Sequence, residues 1–169
     1  NGLWRVETKN LATNEREVFL SKVLINAGGP WVSDLLLNVL RVNSSEKVRL
    51  VRGSHIVVSK MWSHEKSYFF QGNDGRIIFA IPYETDFTLI GTTEIDHLDL
   101  NEKPKCTELE KNYLINFANQ YFDPELKVED IVWTYSGVRP LQDTSEDNVT
   151  SVTRDYSIKV NRKDGVPLI

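Results

Sequence analysis

A single cysteine, Cys106, leaves no partner for an internal disulfide, and a reducing compartment is the simplest expectation. His55, His64 and His97 share no metal-ligand spacing and no CxxC occurs, so no metal is expected. There is no run of about 18 apolar residues, which excludes a membrane-spanning helix. The opening "NGLWRVETKN" has neither an initiating methionine nor a signal-peptide layout, and the closing "DGVPLI" stops on an apolar run. Both ends read as cut from a longer protein. A formal net charge of −4 gives no general attraction to nucleic acid or to an anionic membrane. Internal repeats, low-complexity tracts and the GxGxxG of a complete dinucleotide-binding fold are missing as well.

What is present is the composition of a soluble globular chain, 40% hydrophobic and 26% charged over 169 residues, enough for one domain or parts of two. Alternation over residues 3–8, a polar turn near Asn10 to Asn14 and a second strand from about Arg16 predict a hairpin. The run "KVLINA" (22–27) is continuously apolar, as in a strand covered on both faces. It meets Gly28-Gly29-Pro30 and then "WVSDLLLNVL", whose spacing is helical with Pro30 at the first position. The polar "RVNSSEK" (41–47) marks a boundary.

Beyond it, "VRLVRGSHIVVS" (48–59), "SYFFQ", "RIIFAIP" and "FTLIGTTEI" predict an antiparallel meander, with turns at "GNDG" and "YETD". "TELEKNYLINFANQYF" (107–122) predicts a long helix. Thr107 and Glu110 have capping-box spacing, and Leu109, Tyr113, Leu114, Phe117 and Tyr121 form its apolar face. "DIVWTYSGVRPLQD" (130–143) reads as a buried strand running out into an arginine, and "SVTRDYSIKV" as a last strand before a turn at "RKDG". The fold class is therefore α+β: a mixed, largely antiparallel sheet with packed helices, attached to an α/β remnant.

Three residues stand out for chemistry because each sits in a strand pattern that ought to bury it: His55 in "RGSHIVV", Arg139 after "WTYSGV" and Arg154 in "SVTRDYSI". Taken singly, each arginine is most simply an edge residue or half of an ion pair. Taken together, two guanidiniums converging on a phosphate or carboxylate, beside a histidine kept neutral by their charge, describe an anion site with a proton acceptor. The strand-to-helix turn "INAGGPW" offers backbone amides to a phosphate or sugar, though a Gly-Gly pair serves a tight turn equally well. Cys106 has no His or Lys beside it in sequence and is expected to be inert.

The motifs "INAGGPWVSDL" (25–35), "RLVRGSHIVV" (49–58), "IIFAIPYE" (77–84), "TLIGTTE" (88–94), "DIVWTYSGVRPLQD" (130–143) and "VTRDYSI" (152–158) together resemble the FAD-dependent glycerol-3-phosphate dehydrogenases. They occur in that family's order and cover nearly the whole chain. The resemblance implies hydride transfer from sn-glycerol 3-phosphate to FAD, giving dihydroxyacetone phosphate, with electrons passed to the quinone pool. It implies substrate binding by Arg139 and Arg154, a catalytic His55, and a cofactor-proximal stretch of Asn26, Ala27, Gly28, Gly29 and Pro30. Residues 1–42 would be the C-terminal-side remnant of the FAD-binding domain, 43–150 the substrate-binding domain, and 151–169 a strand returning toward the FAD domain.

The implied location is cytoplasmic, peripheral to the inner membrane, with any membrane contact made by segments outside this chain. The fragment alone is expected to be inactive. A glycerol-phosphate oxidase that reduces oxygen, a related amine oxidase and a non-catalytic anion-binding remnant stay open as alternatives, as does the oligomeric state.

Overall fold

The computed structural model describes residues 2–42, 48–142 and 155–169, so Arg154 and most of the 41–47 boundary lie outside the described residues. The chain divides into two compact units, whose described residues are 2–42 with 155–169, and 48–142.

In the first unit β1 (Trp4–Lys9) and β2 (Arg16–Ser21) pair antiparallel, from Trp4 opposite Ser21 to Lys9 opposite Arg16. The turn between them is the expected one. Asn10 Oδ1 accepts from the amides of Ala12 (2.9 Å) and Thr13 (3.2 Å), and Asn14 takes a positive φ of 62°. The stretch 22–27 does not form the expected strand. Only Leu24 bridges, in parallel, to Leu168. A parallel strand is stable when neighbours satisfy both of its edges, and among the described residues its backbone bonds run to one neighbour.

The helical stretch after Gly28 is also irregular. A 3-10 turn (Gly29–Trp31) carries Pro30 at its start, α1 (Val32–Asp34) follows, and a wide π-type turn (Leu35–Val39) ends it. Contrary to expectation, the described residues 155–160 take no strand conformation, and every one of them is exposed. The unit closes with the hairpin β9 (Asn161–Lys163) and β10 (Val166–Leu168), turning through Asp164 and Gly165 at positive φ.

The second unit is built on one long strand, β3 (Val48–Ser59). Along one edge it pairs with β8 (Ile131–Gln142) over almost its full length. Its other edge is shared between β6 (Phe87–Gly91), opposite residues 55–59, and β7 (Ile95–Asp96), opposite 51–52. The strands β5 (Ile77–Tyr83) and β4 (Tyr68–Gln71) continue the sheet beyond β6. All these pairings are antiparallel, as the meander reading requires. Arg49 and Asp96 clamp β3 to β7 through two bonds of 2.7 and 2.8 Å.

One face of this sheet is closed by α2 (Glu108–Ala118). Ile56, Val58, Ile78, Ala80 and Ile90 from the strands meet Leu114, Ile115, Phe117 and Ala118 from the helix, forming the main core. Two sequence expectations need correction here. Leu109, placed on the apolar face, is 83% exposed, and a carboxylate, Glu110, is buried in the same first turn. In addition, β8 is an edge strand with Val132, Trp133 and Tyr135 exposed, because among the described residues it pairs with β3 alone. Pro140, which has no amide hydrogen to donate, suits that position.

Candidate functional site

The face of the sheet turned away from α2 is set by strand alternation. The core residues Ile56 and Val58 face the helix, so Val51, Gly53, His55 and Val57 of β3 face the other way. The antiparallel register then puts Arg139 opposite Val51, Gly137 opposite Gly53, Tyr135 opposite His55 and Trp133 opposite Val57. On the other edge Gly91 lies opposite His55. Three glycines thus occupy the middle of this face, where most strand sequences would carry bulky side chains.

Each glycine has its own use. A side chain at Gly91 would overlap the His55 ring, which lies across it, and one at Gly53 would overlap the Arg139 guanidinium and the Thr92 hydroxyl. At Gly137 none of the described residues lies within 4 Å of where a Cβ would be, so the sheet is open there among them. The imidazole of His55 stacks on the phenol ring of Tyr135, with centroids 4.7 Å apart and planes within 9°. Arg139 donates from Nη2 to Thr92 Oγ1 at 2.9 Å. The result is a basic, aromatic-walled floor, buried along β3 and exposed at Gly137 on the edge strand.

The electrostatics favour a neutral imidazole. Burial, and secondarily the positive charge of Arg139, hold the His55 pKa below its ordinary 6.5. Among the described residues its buried Nδ1 has no hydrogen-bond partner, so a charged ring would place an unpaired N–H there. The sequence reading attributed this shift to neighbouring cations alone, whereas desolvation is the larger cause. Burial first, with the Tyr83 phenol as a lesser contributor, raises Tyr135, which stays a neutral phenol.

Of the residues marked in the sequence, His55 and Arg139 are brought onto one face. Asn26 to Pro30 belong to the other unit, where they form a self-braced turn. The Gly28 amide donates to Asn26 Oδ1 at 3.1 Å, and Asn26 Nδ2 donates to the Val32 carbonyl at 3.0 Å. Gly29 adopts φ +54° with open space where a side chain would point, so a ligand can approach this backbone closely.

Behind the floor lies a polar cluster that sequence reasoning missed. Glu110, 2% exposed, receives five hydrogen bonds. Ser54 Oγ and Thr93 Oγ1 each donate to its Oε1 at 2.7 Å. Arg52 Nη2 (3.0 Å), the Thr107 amide (2.9 Å) and the Thr107 hydroxyl (2.8 Å) donate to Oε2. Burial alone would raise this carboxyl, but the bonds from Thr107, Ser54 and Thr93 outweigh it and hold the pKa below the usual range. Burial and the Glu110 charge in turn push the Cys106 thiol up, away from reactivity. A signal was available: Arg52 and Ser54 alternate with Ile56 on the core face, and polar residues there require buried partners.

The family model described as "FAD dependent oxidoreductase" matches residues 1–160. The chain belongs to the FAD-dependent oxidoreductase family. It is 45% identical over 169 residues to the D-erythritol 1-phosphate dehydrogenase of Brucella abortus, covering all of this chain and 34% of that protein. It is 39% identical over 170 residues to the aerobic glycerol-3-phosphate dehydrogenase of Escherichia coli, with the same coverage. Among solved structures, the glycerol-3-phosphate dehydrogenase from Bacillus halodurans complexed with FAD aligns with a TM-score of 0.75 at 28% identity. That alignment covers 97% of this chain and 30% of the other. The chain spans about a third of the length of the curated relatives it matches.

Proposed function

We propose that this FAD-dependent oxidoreductase chain carries the substrate-binding sheet of an enzyme that oxidises a secondary alcohol of a polyol phosphate, with sn-glycerol 3-phosphate as the first substrate. The observation that carries the reading is the joint placement of His55 and Arg139 on one glycine-floored face. A guanidinium there binds the phosphate, and a neutral imidazole beside it accepts the hydroxyl proton. Gly53 gives the guanidinium room to lie flat, Thr92 fixes its rotation, and the opening at Gly137 lets the carbinol carbon come close to the strand.

FAD, when bound, supplies the two-electron acceptor. Asn26, Ala27, Gly28, Gly29 and Pro30 would line its approach in the first unit, which acts as part of the cofactor domain. Residues 43–150 act as the substrate domain, and 151–169 return toward the cofactor domain. Arg154 is assigned as a second phosphate ligand. Onward electron transfer to quinone, at the membrane surface through parts of the protein outside this chain, completes the reading.

A second substrate reading has specific support: the relative with 45% identity is named for D-erythritol 1-phosphate. Anaerobic flavin reduction in the full-length protein separates the two. Bleaching by glycerol 3-phosphate fixes the first reading, and bleaching by erythritol 1-phosphate alone fixes the second. Bleaching by neither overturns both.

A further inference from the structure

We propose that Glu110 is a positioning residue for the His55–Arg139 face, acting through the sheet from its opposite side. This deepens the proposed function and rests on it. A capping box requires of Glu110 only that one oxygen reach the Thr107 amide, a task an exposed carboxylate performs. Here the second oxygen is taken entirely by Ser54 and Thr93. Each of these is one residue from a front-face group. Ser54 lies between Gly53 and His55, and Thr93 follows Thr92, the acceptor for Arg139.

The hydrogen bonds also have a fixed direction. An ionised Glu110 only accepts, so Ser54 Oγ donates to it and must itself accept from Ser136 Oγ at 2.7 Å. Ser136 lies between Tyr135 and Gly137 on β8, so the chain of hydroxyls reaches the edge strand as well. Thr93 Oγ1 donates to the carboxylate and accepts the Ser54 amide at 2.9 Å. Neighbouring residues of a strand share a peptide plane and point to opposite faces. Fixing Ser54 and Ser136 therefore fixes the planes that aim His55 and Tyr135, and fixing Thr93, in the connection between β6 and β7, holds the peptide plane it shares with Thr92. Arg52 supplies the countercharge that allows the carboxylate to stay ionised in the core.

The test uses the full-length flavin-loaded protein carrying Glu110→Gln, which keeps the shape and removes the charge and one acceptor. Two readouts are taken: the limiting rate and KM of anaerobic flavin reduction, and the ring signals of 15N-labelled His55. The positioning role predicts a limiting rate about 10- to 100-fold lower, KM changed far less, flavin content retained and shifted or broadened His55 signals. Rates and His55 signals equal to wild type, with only a lower melting temperature, would overturn it. Should Glu110→Gln fail to fold, Ser54→Ala and Thr93→Val decide by the same two readouts. If no polyol phosphate reduces the flavin of the wild-type protein, the functional reading fails. The His55 signals, which need no substrate, still decide whether Glu110 governs that ring.

Discussion

His55 lies between two influences of the same sign: low polarity around the ring and a guanidinium close by. Both favour the neutral form, so the acid limb of kcat/KM is expected below pH 6.5, the ordinary value for an imidazole. An unfolded chain binds the proton at 6.5 and the folded chain only at lower pH, so stability falls as pH drops below 6.5 toward the folded value. In Arg139→Gln the charge disappears and the burial remains. The His55 titration, followed by 15N NMR, is expected to move up yet stay under 6.5. A titration that does not move would contradict the assigned closeness of the two groups.

The glycines give a sharper pair of tests. Gly91→Ala collides with the His55 ring and, under the proposed role of His55, is expected to slow flavin reduction by at least about 10-fold. Gly137→Ala meets none of the described residues, so its melting temperature should match wild type within about 1 °C while substrate KM rises. Equal KM values would show that ligands do not use that opening.

At the scale of elements, helix α2 is where local signals and tertiary packing agree only in part. The capping box at Thr107 and Glu110 was legible because it depends on four consecutive residues. The buried face was misjudged because Leu109 and Tyr121 fit a helical stripe by hydrophobicity. The sheet instead meets the helix along Glu110, Leu114 and Phe117. The helix also stops at Ala118, short of the expected Phe122. Strand β8 shows the converse error. Its aromatic and β-branched run looks like a core strand, yet half of it forms the wall of an open face. An edge strand with an exposed face and a core strand can share a composition, and only the neighbours tell them apart.

Two changes in α2 separate its roles. Leu114→Ala, at the centre of the core, is expected to cost about 2–5 kcal/mol. Thr107→Ala is expected to cost about 1–2 kcal/mol through the lost cap, and it also removes a donor from Glu110. Chemical denaturation measures both. A loss at Thr107 larger than at Leu114 would mean that the cap, not the packing, dominates the helix.

At the scale of the molecule, the meander and its helix were readable because the second unit carries its own core and its own turns. The first unit was less readable. Residues 22–27 have the composition of a parallel strand, and composition cannot supply the neighbours a parallel ladder needs. The same fact bears on the cofactor. One glycine turn supplies few of the contacts that hold a dinucleotide, so the purified 169-residue chain is expected to carry well under one flavin per molecule. A visible flavin spectrum near one-to-one stoichiometry would show that this chain alone makes a sufficient site.

Strand β3 works like a text read in a two-letter frame. One set of letters, Arg52, Ser54, Ile56 and Val58, is read by the helix. The other, Val51, Gly53, His55 and Val57, is read by whatever lies over the sheet. Losing or gaining one residue between them would shift the frame, sending the imidazole into the oily interior and the serine out to the solvent side. Any tolerated change of length in this strand must therefore come in pairs, or be absorbed by an irregularity such as the one that already interrupts the pairing between Val57 and Val58.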